Sequence, residues 1–117
     1  MNFDNALKHM DNDKELFLEM IKLFIKGLPV QLTELHQYIS DGNAVEARRL
    51  AHSLKGSAAH FYAEKAIRAA MELEEYLKIG VCDDSALLLR DVDESFMELQ
   101  AELKKLEMEG GVENVGK

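Results

Sequence analysis

The 117-residue chain contains no tryptophan, one cysteine, one proline and seven glycines, and each scarcity excludes something. Cys82 has no partner for an internal disulfide, and no cysteine cluster exists to hold a metal. A lone thiol suits a reducing compartment, and the expectation for Cys82 is an inert, partly buried residue at a helix start. Long apolar runs are also missing. The richest stretch, LFLEMIKLFIKGL, is broken by charge, and no apolar segment precedes a small-residue cleavage site, so the expectation is a soluble, cytoplasmic protein without a membrane span. Positive charge is short as well. Fourteen Lys and Arg face 22 Asp and Glu, a net charge of −8, which argues against nucleic acid or an anionic membrane as a partner. No glycine-rich phosphate loop and no HExxH occurs, so the chain has no ATP site and is not a self-sufficient kinase.

What remains is rich in Leu, Ala, Glu, Lys and Met, the composition of an all-α protein. Asp4 marks a short first helix ending near His9 and Met10. Asn12 with Glu15 marks the start of a second, whose residues Leu16, Met20, Leu23, Leu28, Leu32, Leu35 and Ile39 form a stripe at helical spacing. Pro29, after Gly27, is expected to kink or split it. Gly42 suits a left-handed stop, and Asn43 with Glu46 caps a third helix reaching Phe61. A fourth runs from Glu64 to Lys78 with Ile67, Ala70, Met71, Leu73 and Leu77 inward, and stops at Gly80. A fifth begins near Asp83 and carries Leu89, Val92, Phe96, Leu99, Leu103 and Leu106. Four amphipathic helices with short connections pack most simply as an antiparallel four-helix bundle, here with a short additional N-terminal helix. Residues 1–108 form this single domain, and the aperiodic tail 109–117 is expected to be disordered.

The third helix holds the unusual residues, AHSLKGSAAH over positions 51–60. Ala47, Leu50, Ala51, Leu54, Ala58 and Phe61 make its core stripe. At about 100° per residue, His52 points away from that stripe, with Arg48, Arg49, Lys55, Gly56 and Ala59 around it. Residues 48–68 carry five cations and one carboxylate, +4 in all, which leaves −12 for the rest of the chain. A local basic patch on an acidic protein marks a site for an anion or an acidic partner. Nearby cations disfavour the imidazolium, and a histidine must be neutral to attack an electrophile. The same cations suit a phosphoryl group once it is attached. Gly56 sits one turn on, where alanine would make the helix about 1 kcal/mol more stable; its use there is to keep the approach to the ring open.

The string His52-Ser53-Leu54-Lys55-Gly56-Ser57, with the Leu73-Glu74 pair of the following helix, resembles the signature of histidine-containing phosphotransfer (HPt) domains, over roughly residues 3–107. The resemblance implies that His52 accepts a phosphoryl group from a receiver-domain aspartate, or within a histidine kinase pathway, and relays it to another response-regulator receiver. It implies that the chain is a phosphocarrier and not an enzyme. It further implies that Nε2 attacks, that Lys55 steadies the phosphoryl group and that Ser57 supports local hydrogen bonding. The partners implied are receiver domains and a hybrid histidine kinase. No cofactor is implied in this chain, magnesium being expected in the receiver's pocket, and the protein is expected to be a monomer. Ala59 and apolar neighbours of His52 would form the docking surface, with Arg48 and Arg49 steering the acidic mouth of the partner. The chain departs from the family at Tyr62, where a glycine commonly closes the helix. Tyrosine tolerates positive φ poorly, so a differently shaped turn or a longer helix is expected there.

Two other readings compete. A dinuclear carboxylate bundle needs Glu-x-x-His, but Ala6, Thr33, Arg49 and Ser57 stand three residues before His9, His36, His52 and His60. A non-catalytic adaptor would bind a signalling partner through the His52 face without chemistry, and phosphate uptake separates it from a phosphocarrier. His9, His36 and His60 carry no motif and are expected to be structural or exposed. The acidic residues of helices two, four and five are expected on solvated faces.

Overall fold

Side-chain oxygens set most of the helix starts. Asn2 Oδ1 accepts from Asn5 N, Asp13 Oδ1 from Leu16 N and Asn43 Oδ1 from Glu46 N, each at 3.0–3.1 Å, occupying backbone donors that a helix leaves open. The computed structural model describes residues 2–108, and among these are five helices and no strand: α1 (Phe3–His9), α2 (Lys14–Ser40), α3 (Ala44–His60), α4 (Glu64–Leu77) and α5 (Ala86–Met108). The cap of α2 is therefore Asp13 and not Asn12. Asn12 instead takes a positive φ of 59° in the turn after α1, a conformation asparagine adopts readily. The tail assigned to residues 109–117 lies outside the described residues.

Pro29 neither splits nor ends α2, which runs through it as one helix of 27 residues in all. Proline lacks the N–H that would bond the carbonyl four residues earlier, here Ile25. Gln100 of α5 supplies the missing donor, its Nε2 lying 3.2 Å from the Ile25 oxygen. A long-range side chain thus repairs the ladder that the proline interrupts.

Helix α2 packs against α3 and α5, and α4 packs against α3 and α5, which closes α2–α5 into the antiparallel four-helix bundle. Phe61, at the end of α3, sits against Phe17 and Phe24 of α2 with ring centroids 5.9 and 5.4 Å away, and Phe24 stacks on Phe96 of α5 at 6.4 Å. The stripe read for α2 is displaced by one residue over its first half. Phe17, Ile21 and Phe24 are buried, whereas Leu16 and Leu23 are 50% and 68% exposed. Both stripes have helical spacing, and the one bearing aromatic rings fills the space around Phe61. Met71 of α4 is likewise exposed and not inward.

The α3–α4 contact is the most extensive in the bundle because small residues line it. Ala47, Ala51 and Ala58 of α3 and Ala66, Ala69 and Ala70 of α4 are all buried, letting the two backbones come close. Helix α3 stops at His60, and Tyr62 adopts φ of +52° in the turn that follows. The left-handed turn typical of glycine is therefore made by tyrosine. Helix α1 caps this end: Asn2 N–H donates to the carbonyls of Phe61 and Tyr62, and Phe3 packs edge-on against Phe17. Cys82 is half-buried in the α4–α5 connection, four residues before α5 begins, and burial pushes its thiol pKa up.

Candidate functional site

The alanine-lined approach of α3 and α4 brings a carboxylate up to the histidine. Leu73 and Leu77 bury one face of α4, and Glu74, at the edge of that face, is only 7% exposed. Its Oε1 lies 2.8 Å from His52 Nδ1, and its Oε2 lies 2.9 Å from Lys55 Nζ, close in charge but without the alignment of a good hydrogen bond. The acidic residues of α4 are thus not all on a solvated face. Glu74 is the functional residue that the reading of charge missed. A signal was present, since Glu74 follows Ala70 by four residues and precedes Leu77 by three, a position where a carboxylate is buried unless it has partners.

Burial, the largest influence on Glu74, acts to raise its pKa. Contact with Lys55 and His52, and their charges, outweigh it, so the carboxyl lies below the ordinary glutamate range. At neutral pH Glu74 is then ionised and can only accept. In the neutral form of the ring the proton of the His52–Glu74 bond sits on Nδ1, which leaves the lone pair on Nε2. The His52 side chain is 67% exposed. The arrangement holds the ring in one orientation and offers its Nε2 edge to solvent, with the half-buried Lys55 ammonium beside it.

Gly56 follows one turn later on the same side. A methyl group built there would meet no atom within 4 Å, so nothing in this chain's own packing calls for glycine. Ser57 Oγ donates to the Ser53 carbonyl at 3.2 Å, a bond internal to α3. Ala59 is exposed beyond Gly56.

The basic patch is weaker than its composition suggests. Arg49 pairs with Glu46, Lys55 with Glu74 and Lys65 with Glu98, each carboxylate coming from outside residues 48–68. Arg48 and Arg68 make no ion pair among the described residues. The contact with Glu98 raises the pKa of Lys65 further above its ordinary value. His36 is bound elsewhere, to Asp93 of α5 at 2.7 Å.

An open groove of about 700 Å³ runs between α2 and α3, lined by Leu23, Gly27 and Val30 on one side and Ser57, His60 and Phe61 on the other. Its wall includes the displaced stripe of α2, with Val30 58% exposed. A second groove of similar size, between α2 and α5, holds His36 and Asp93 and lies on helices that carry none of these site residues. Among the described residues no group of three or more His, Cys, Asp or Glu is placed to hold a metal ion, and no helix is long and apolar enough to cross a membrane.

The family model for the Hpt domain matches residues 19–109. Among solved structures, the HPT domain of an Hpt sensor hybrid histidine kinase from Shewanella is similar with a TM-score of 0.81 and 19% sequence identity, over 92% of this chain and 94% of that one. No curated protein matches the sequence significantly.

Proposed function

The chain belongs to the Hpt domain family, and from that premise we propose that His52 is its phosphoryl acceptor and donor. The family gives a phosphotransfer role in phosphorelays, as a phosphocarrier module. The finer assignment is supported above all by one observation: His52 is the exposed histidine whose Nδ1 is held by a buried, ionised carboxylate.

In the proposed step, Nε2 of His52 attacks the phosphorus of an aspartyl phosphate on a receiver domain. The N–P bond forms as the bond between phosphorus and the aspartate oxygen breaks, and the aspartate leaves as a carboxylate. Nδ1 keeps its proton, so the phosphorylated ring is cationic, and Glu74 stabilises that charge as it develops. Lys55 is positioned to turn from Glu74 to the phosphoryl oxygens. The reverse step delivers the group to a second receiver aspartate. Positioning and electrostatics carry the catalysis, and any magnesium acts from the receiver's own pocket. Gly56 and Ala59 leave the approach clear, while Ser57 holds the helix locally.

The docking surface in this proposal extends from Ala59 into the α2–α3 groove, where Leu23 and Val30 offer exposed apolar area that Arg48 and Arg49 do not. The arginines contribute steering, with Arg48 the freer charge. The test is transfer of labelled phosphate from a phosphorylated receiver domain to wild type and to His52→Gln. Acid-labile, alkali-stable label on wild type alone is expected; equal labelling of the variant would reject His52. An unlabelled wild type that still bound receivers would favour the adaptor.

A further inference from the structure

Two histidines 51 positions apart in sequence lie side by side near the α3–α4 turn. His9 is the last residue of α1 and His60 the last of α3; their ring centroids are 6.0 Å apart with planes at 52°. Both are exposed, and neither imidazole makes a hydrogen bond or ion pair among the described residues. A pair of unbonded imidazoles side by side adds little to stability. Tyr62 sets its ring edge-on to His9 at 6.1 Å, and does so from a positive φ that a bulky residue rarely adopts. The Asn2 bonds to Phe61 and Tyr62 tie the start of α1 to the same turn.

We propose that His9 and His60 form a two-histidine site for a divalent transition-metal ion of the zinc class. With Zn–N bonds of about 2.0–2.1 Å, a ring centre lies about 3.2 Å from the metal, so two imidazoles at a tetrahedral angle have centres about 5.2 Å apart. The observed 6.0 Å needs less than about 1 Å of closure, within the reach of side-chain rotation for exposed rings. Nitrogen donors select zinc, nickel or copper over magnesium and calcium, and water completes the coordination. The bound ion would pin α1 to the end of the helix that carries His52. Because the family match begins at residue 19, α1 and His9 lie outside it, and the site is independent of the phosphotransfer assignment.

The test uses the full chain and Zn2+ alone, with calorimetric titration and imidazole NMR. One ion should bind per chain, shifting the His9 and His60 resonances together and leaving His36 and His52 unmoved. His9→Gln and His60→Gln should each weaken binding at least about tenfold, and the ion should raise the melting temperature of wild type but of neither variant. Unchanged affinity in either variant, shifts centred on His52 or His36, or no saturable binding would overturn the site.

Discussion

Replacing Gly56 with alanine should make the protein more stable and a worse relay. Gly56 lies in the interior of α3, is exposed, and has nothing within 4 Å of the position a Cβ would take. The substitution therefore gains helix propensity without a clash, about 0.5–1 kcal/mol. At about 2.1 cal/mol/K per residue, unfolding 117 residues carries an entropy of about 0.25 kcal/mol/K, so the melting temperature should rise by about 2–4 °C. The denaturant midpoint should rise with unchanged slope. Against a receiver packed over His52, each added carbon meets a close contact, at about 1–3 kcal/mol for overpacking. That converts to a loss of about 5- to 150-fold in kcat/KM for transfer, steeper for Gly56→Leu than for Gly56→Ala. The two measurements must move in opposite directions. A destabilised Gly56→Ala would mean that the glycine serves the bundle. Wild-type transfer by both variants would mean that it serves nothing at the docking face.

Other residues give separate tests. Glu74→Ala removes a hydrogen bond to a charged ring, about 1.5–3 kcal/mol, and should slow transfer about 10- to 150-fold with little loss of binding to the receiver; wild-type rates would refute its part in the step. Because the folded pKa of Glu74 is lowered, its stabilisation is complete above the ordinary value near 4.5 and is lost as pH falls through the lower folded value. Acid unfolding of Glu74→Gln should lack that component, and a superimposable acid curve would contradict the pairing. Gln100→Ala should cost about 1–2 kcal/mol in wild type and less than about 0.5 kcal/mol in a Pro29→Ala background, where a restored N–H takes the Ile25 carbonyl; equal losses in a denaturation cycle would exclude the repair. Leu23→Glu should weaken receiver binding about tenfold at unchanged stability, and Arg48→Glu with Arg49→Glu should lower the association rate and its salt dependence. Unchanged kinetics in stopped-flow binding would remove the groove or the steering, respectively.

The helix count, the bundle and the exposed His52 with Lys55 and Gly56 were legible in the sequence because they follow from periodicity and caps, which act within a few residues. What the sequence hid depends on contacts between elements. Residues 16–24 contain two apolar stripes, and only the packing of Phe17 and Phe24 around Phe61 decides which one is buried and which is left to line a groove. Pro29 looked like a break because its remedy, Gln100, lies on another helix. Tyr62 takes the left-handed turn because α1 folds over it, which local steric preference does not reveal. Glu74 entered only through the Leu73-Glu74 pair of the resemblance, without a role: with its partners 22 and 19 positions away in sequence, a buried carboxylate looks like one more solvated acid.

The central claim is that Glu74, by holding Nδ1, makes Nε2 of His52 the phosphorylated atom. The most direct measurement is NMR of the phosphorylated protein with nitrogen-labelled histidine. Phosphorus coupled to Nε2 of His52, with a proton retained on Nδ1, is the result this account expects. Phosphorus on Nδ1, or on any other histidine, would contradict it.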